Sequence, residues 1–182
     1  MSNCQTCCQL TLAILKPHIT KVPHVFQSVR NCIIDNGFQV VKSTRTTISK
    51  HQAAEFYAEH EGRFFYNRLL TFMCSGPSEV YILAREDAIK KWRELMGPTK
   101  VYQAVYSAPG TIRAEYGLTD TRNATHGSDS VKSAFREMSV FFPNFNHEEW
   151  FQEEEPYFRA GKVGFDKSQF VHYTVKSSQP VA

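Results

Sequence analysis

The stretch Asn123-Ala124-Thr125-His126-Gly127-Ser128-Asp129-Ser130 gathers the residue types best suited to chemistry in this chain. Ser128 or Asp129 is a good N-cap for a helix running through Glu137, because short oxygen-bearing side chains bond the free amides of a first turn. Such a helix start offers unpaired N–H groups and partial positive charge, so an anion is welcome beside it. His126 stands just before it. Glu137 lies about two helical turns on, and from the inward face its carboxylate can fold back to the imidazole. A carboxylate on one ring nitrogen fixes the tautomer and leaves the other nitrogen free to attack. By itself the pattern has a plainer alternative, since a histidine ahead of a helix cap more often serves the fold. A second motif, Cys4-x-x-Cys7-Cys8, has no Cys/His pair following at zinc-site spacing. No metal site is expected there, and a thiol-rich terminus that frays through residue 8 is the simpler reading.

The elements that must position His126 follow from periodicity. Residues 9–15 alternate loosely and read as a strand, ended by Lys16-Pro17 because Pro17 cannot donate to a ladder. Val25, Phe26, Val29, Cys32 and Ile33 recur at helical spacing, predicting a helix over 23–36 with Pro23 in its first turn and Gly37 as its stop. Residues 38–47 and 78–84 read as strands. Helices are predicted from Ser49, a plausible N-cap, through His60, over 65–74, and over 86–96, the last stopped by Gly97-Pro98. With a short strand at 124–126, the order fits an α+β, ferredoxin-like split βαβ fold: an antiparallel four-stranded sheet with helices packed on one face. Residues 98–122 read as a long, turn-rich connection, and long connections in compact domains are often functional. Beyond Pro143, Glu148, Glu149, Glu153, Glu154 and Glu155 interleave with Trp150, Phe151, Tyr157 and Phe158. The ordinary reading is a solvated helix with an aromatic face; the sharper one is a segment that docks a protein partner. Disorder is expected over 177–182.

The bulk composition bounds the rest. The chain has 182 residues, 42% hydrophobic and 21% charged, which is an ordinary globular composition. Its formal net charge of +3 gives no strong nucleic-acid signal. No apolar run reaches the ~18–20 residues of a membrane span. Five cysteines, three crowded near the start, suit a reducing compartment better than a secreted disulfide framework. With no secretory signal in the first residues, an intracellular protein is expected, cytoplasmic or mitochondrial.

The His126 segment as a whole, Asn-x-x-His-Gly-Ser-Asp, resembles the active-site signature of nucleoside diphosphate kinases. The likeness runs from about Leu10 to Glu137. It takes in Lys16-Pro17, Tyr57, Arg63 with Phe65, Ser75-Gly76-Pro77, Arg93, Gly97 with Thr99, and Pro109-Gly110-Thr111-Ile112-Arg113, all in the family's order; the pattern is nearest to a divergent branch of the family. The resemblance implies a kinase domain over residues 9–143, between a flexible start at 1–8 and a C-terminal extension at 144–182. It implies transfer of a γ-phosphoryl group from a nucleoside triphosphate to His126 and on to a nucleoside diphosphate. In the roles it carries across, His126 is the nucleophile and Glu137 orients it, helped by Ser128. Lys16, with a catalytic share as well, Tyr57, Arg93, Thr99, Arg113 and Asn123 contact phosphates or sugar, and Phe65 stacks on the base. Magnesium arrives bound through the nucleotide phosphates.

These roles suit the side chains. Phosphoryl transfer needs clustered cations more than covalent machinery. Lys16 is a point charge, while Arg93 and Arg113 can fork onto phosphate oxygens. An aromatic platform accepts any base, which fits broad nucleotide tolerance. The sequence also departs from the family pattern. His18-Ile19 follows Lys16-Pro17 where the family commonly has Asp-Gly, and Arg63-Phe64-Phe65 replaces Arg-Pro-Phe. The loop from Thr99 to Pro109 is longer than usual, and in the family this loop helps build the oligomer, so homo-oligomerisation is left open by the insertion near 100–109. Two functions stay in view: an active ping-pong kinase, and a nucleotide-binding regulatory or scaffold protein of the same fold with weak or partner-dependent activity, its partner bound through 144–182.

Overall fold

A computed structural model of the chain describes residues 7–175. The expected disorder at 177–182, and Cys4 of the cysteine motif, lie outside the described residues. Strands β1 (Gln9–Leu15), β2 (Gln39–Thr46), β3 (Ser78–Arg85) and β4 (Thr125–Gly127) form one sheet in the order β2-β3-β1-β4. Every neighbouring pair is antiparallel, as the ferredoxin-like reading expects.

Helices cover both faces of the sheet rather than one. The cause lies in β1 and β3, which are apolar on both sides and buried along almost their whole length. Leu10, Leu12 and Ile14 of β1 face a core with Ala53 and Phe56 of α3 (Lys50–Phe56), Phe72 and Met73 of α4 (Tyr66–Met73), and Ala134 and Met138 of α8 (Val131–Phe141). Ala13 and Leu15 face a second core with Val29 and Ile33 of α2 (Pro23–Asp35) and Trp92 and Met96 of α5 (Ala88–Met96). Ser49 caps α3 through a capping box with Gln52, but the helix ends at Phe56 and a 3-10 turn carries Ala58–His60. The connection from 98 to 122, read as turns, contains α6 (Val101–Ser107) and α7 (Ile112–Tyr116). The longer loop has wound into α6, whose Tyr102, Val105 and Tyr106 point to solvent.

After Pro17 the chain makes α1 (Pro17–Thr20), and the His18 ring packs 5.5 Å from Phe72. Burial, with the nearby Lys16 charge, pushes the His18 pKa down to about 4, so the departure from the family's Asp-Gly adds no charge at neutral pH.

The acidic-aromatic segment is part of the fold. It forms α9 (His147–Glu153), α10 (Glu155–Arg159) and a hairpin of β5 (Val163–Asp166) and β6 (Val171–Thr174). Trp150 and Phe158 join the core that holds Phe56 and Tyr57, and Phe170 joins the other. The Arg30 guanidinium lies 3.7 Å over the Phe170 ring. Glu148, Glu149 and Glu153 stay at the surface, but Glu155 is buried. Its Oε1 accepts from the Cys8 amide at 2.8 Å, and Arg159 lies 3.5 Å from its Oε2. The start of the chain, expected to fray through residue 8, is thus tied down at Cys8. The hairpin reaches β2, where the Val40 N–H donates to His172 Nδ1 at 2.9 Å. No helix among the described residues is long and apolar enough to cross a membrane.

If the extension is integral, Trp150→Ala costs roughly 3–5 kcal/mol, as for other buried tryptophans. The readout is a lowered urea midpoint at constant slope. A loss within about 0.5 kcal/mol, the size of an ordinary surface change, would show that the extension only rests on the domain.

Candidate active site

His126 sits at the middle of β4, opposite Ile14 of β1. Its backbone is held from both sides. Ala124, two residues earlier, takes a left-handed φ of 70° and turns its carbonyl to the Lys16 amide at 3.0 Å. The Trp92 indole donates to the His126 carbonyl at 3.0 Å. Gly127 follows because a Cβ there would come within 2.3 Å of Trp92 Cδ1.

The imidazole is aligned by a chain of hydrogen bonds that begins in β1. The Leu12 N–H donates to Ser128 Oγ at 3.1 Å, and Ser128 Oγ donates to Glu137 Oε2 at 2.7 Å. The same oxygen lies 3.0 Å from His126 Nε2. With a carboxylate at Nε2, the proton belongs on that nitrogen and the lone pair on Nδ1. Ser128 and Glu137 are buried, whereas the His126 side chain keeps 21% exposure, enough for a substrate atom to reach it. The α8 cap differs from expectation. Ser130, not Ser128 or Asp129, accepts from the Ser133 amide. Ser128 is spent on Glu137 and Leu12, which is why the cap moves along the chain.

A second cluster holds cations without carboxylates. Lys16 Nζ donates to Asn123 Oδ1 at 2.6 Å and lies 3.3 Å from the Thr121 carbonyl. Arg113 donates to the carbonyls of Gly97 at 2.8 Å and Thr125 at 3.2 Å, and lies 3.4 Å from Thr99 Oγ1. Asn123 Nδ2 closes the ring on the Thr99 carbonyl at 3.2 Å. Lys16, Arg113 and Asn123 are buried. Burial, then the Arg113 charge, pulls the Lys16 pKa down to about 7. Burial, then Arg93, pulls Arg113 down to about 10. Two buried donors here lack partners among the described residues, Arg113 Nε and the Tyr57 hydroxyl. Buried groups of this kind call for a ligand or water.

The remaining candidates stand around these clusters. Tyr57 is buried, its phenol pKa raised by burial and then by the Glu137 charge. Arg93 is exposed on α5 and close enough to Arg113 to repel it. Phe65 is half-buried just before α4, with His60 and Phe64 as ring neighbours. Sequence reasoning missed three residues. Phe56 packs edge-on to the His126 ring at 4.8 Å, Trp92 fixes its backbone, and Arg136 lies 3.9 Å from Glu137 Oε1. Phe56 and Trp92 are core residues as well, and nothing in their local sequence marks them as part of a site. A cavity of about 1020 Å3 opens between α4, the start of α6 and the 118–122 loop. It meets the cation cluster at Thr121 and is not lined by His126.

The sequence matches the family model described as nucleoside diphosphate kinase over residues 9–147. The chain belongs to the nucleoside diphosphate kinase family. Among curated nucleoside diphosphate kinases, the human protein named nucleoside diphosphate kinase 6 is 51% identical over 165 residues, covering 91% of this chain and 89% of that one. The Aquifex aeolicus nucleoside diphosphate kinase structure superposes with a TM-score of 0.71 at 37% identity, over 74% of this chain and 95% of its own. That from Halobacterium salinarum, solved in complex with CDP, gives 0.69 at 30% identity, over 79% and 97%.

The Lys16 environment has a pH signature. Its folded value of about 7 is below the ordinary 10.5, so unfolding takes up a proton between those values. Lys16 therefore adds stability as pH rises across that window and opposes folding below it. Chemical denaturation of wild type and Lys16→Met should show a difference that moves in favour of wild type from pH 7 to pH 10. A pH-independent difference would mean Lys16 stays charged in the fold.

Proposed function

We propose that this chain is an active nucleoside diphosphate kinase that works by a ping-pong route through Nδ1 of His126. The observation that carries the reading is the hydrogen-bond chain from Leu12 through Ser128 and Glu137 to His126 Nε2. A histidine that served only the fold has no need of a buried carboxylate dedicated to one ring nitrogen while the side chain keeps 21% exposure. In the first half-reaction the Nδ1 lone pair forms a bond to the γ-phosphorus as the bond to the β–γ bridging oxygen breaks. The nucleoside diphosphate leaves with that electron pair. The positive charge gained by the ring is balanced by Glu137 across Nε2–H. In the second half-reaction a terminal oxygen of a different nucleoside diphosphate takes the phosphoryl group and Nδ1 recovers its lone pair.

The cation cluster supplies the anion site. Arg113 Nε and the Tyr57 hydroxyl, both buried without partners among the described residues, are donors suited to phosphate or ribose oxygens. Lys16, Arg93, Thr99 and Asn123 complete that set, and Phe65 offers its face to a base. Donors of this kind suit phosphate oxygens rather than a bare cation. Among the described residues no group of three or more His, Cys, Asp or Glu side chains is arranged to hold a metal ion. In this reading magnesium belongs to the substrate, carried on its phosphates, where it neutralises charge. A nucleoside diphosphate is also what the Halobacterium relative holds.

Incubation of the pure chain with γ-labelled ATP and magnesium should give acid-labile label on His126 that added GDP discharges as GTP. His126→Ala should abolish labelling and leave nucleotide affinity nearly unchanged, and Glu137→Gln should slow labelling by at least about a hundredfold. Measurable ATP binding with no label on His126 would favour instead the regulatory or partner-dependent protein of the same fold. Loss of binding and folding together in His126→Ala would make the histidine structural.

A further inference from the structure

Lys16 is a buried amine to which the fold gives no anion. Its Nζ is served by two neutral acceptors, Asn123 Oδ1 at 2.6 Å and the Thr121 carbonyl at 3.3 Å. Among the described residues it makes no ion pair with an Asp or Glu. The charge that acts on it is the like charge of Arg113. The His18 ring, two residues along, is the other titratable group beside it and is uncharged at neutral pH. Burial, and then Arg113, favour the amine over the ammonium. With a pKa of about 7, a large share of Lys16 carries a free lone pair on Nζ near neutrality, which a lysine in water does not. A desolvated amine of this kind is a nucleophile.

The surroundings select the reagent. Lys16 is only 4% exposed, so a bulky electrophile does not reach Nζ in the closed fold. A small one has a route, because Thr121, whose carbonyl accepts from Lys16, lines the cavity between α4 and the 118–122 loop. Carbon dioxide is small, linear and uncharged, and enters without the desolvation cost of an ion. Its addition to an amine makes a carbamate, a planar pair of oxygens with one negative charge. Donors for such a group are already in place. Arg113 Nε and the Tyr57 hydroxyl are buried without partners among the described residues, and the charge of Arg113 is felt at both Lys16 and Tyr57. A guanidinium matches a planar two-oxygen anion by its own geometry.

We propose that Lys16 reversibly adds carbon dioxide to form a carbamate, and that this modification closes the anion site to nucleotides. In the step, the Nζ lone pair forms a bond to the carbon of carbon dioxide. One C=O electron pair moves onto oxygen, and one N–H proton leaves to water. Nothing is oxidised or reduced. The carbamate nitrogen keeps one N–H, enough to go on donating to Asn123 Oδ1. A side chain that was neutral or positive becomes negative, so an ion pair with Arg113 replaces a like-charge contact. The phosphates of a nucleotide need Lys16 as a cation, and the carbamate oxygens take up the donors that those phosphates would use. Modification and nucleotide binding therefore exclude each other. The regulatory half of the inference rests on the nucleotide reading of the site; the modification itself rests on Lys16 and Arg113 alone.

The test exposes the full chain to carbon-13 bicarbonate and dissolved carbon dioxide near neutral pH. Carbamates are trapped as ethyl esters with a triethyloxonium salt, and the digested chain is read by mass spectrometry, with glycylglycine in the same tube as a positive control for trapping. Labelled ester should appear on Lys16 and not on the exposed Lys50 and Lys100. Magnesium ADP added beforehand should suppress it. In calorimetric titrations at constant pH and ionic strength, the carbon dioxide level that half-modifies Lys16 should raise the apparent Kd for ADP about twofold, as expected when half the sites are competent. Lys16→Arg should show no ester and no response to carbon dioxide. The comparisons on wild type need no variant, so a misfolded Lys16→Arg leaves them decisive. Ester on glycylglycine with none on Lys16 would overturn the inference and leave the kinase reading standing. So would ester on Lys16 that saturating ADP does not suppress, since the two would then share no site. Ester on Lys16 in a chain that binds no ADP would overturn the nucleotide reading, and the regulatory half with it, while upholding the modification.

Discussion

The site depends on keeping two cations, Lys16 and Arg113, out of water without an anion beside them. Burying a charge costs several kcal/mol unless its hydrogen bonds are met. Here neutral oxygens serve them, namely the carbonyls of Gly97, Thr121 and Thr125 and the amide of Asn123, while Arg113 Nε stays without a partner among the described residues. Much of the backbone around the site serves to aim those oxygens. Gly97 takes a left-handed φ of 79° and lies so close to Thr111 that a Cβ would collide with it. Ala124 takes φ 70°, which costs of order 1 kcal/mol for a residue with a Cβ. A carboxylate in the same place would neutralise the cations and occupy the position of a phosphate. The arrangement leaves the positive charge uncompensated, which is what a polyanionic ligand requires.

The histidine follows the opposite rule. Its partner Glu137 is a buried anion, supported by Ser128 and approached by Arg136. The two clusters are kept apart by chain geometry: His126 lies on β4, and Asn123 lies before the turn at Ala124. Tyr57 is close to both, feeling the charges of Glu137 and Arg113 alike.

How much of this was legible in the sequence depends on the range of the interaction involved. The His126–Glu137 pair was legible because both lie on one strand-to-helix unit, where spacing alone brings them together. The N-cap at Ser49 and the stop at Gly97 were legible for the same reason. The α8 cap was not, because Ser128 is claimed by Leu12, a residue of another strand. Nor was coverage of both sheet faces: a strand buried on both sides reads as a plain apolar run, and β1 looked only loosely alternating. The extension misled most. Its glutamates suggest solvent, yet Trp150 and Phe158 outweigh them in burial, and Glu155 finds the Cys8 amide and Arg159.

The C-terminal hairpin also changes how the sheet ends. Any open sheet has two rims where backbone groups can recruit a strand from outside. One rim of this sheet is β4, only three residues long and devoted to His126, too short to serve as a template. The other is β2, where the chain meets the rim from within: the Val40 amide donates to His172 Nδ1, and beside it the Gln39 side-chain amide donates to the Phe158 carbonyl. In a crowded solution, where strand-to-strand addition is a common route to insoluble material, a sheet finished at one rim by brevity and at the other by its own tail has little left to propagate.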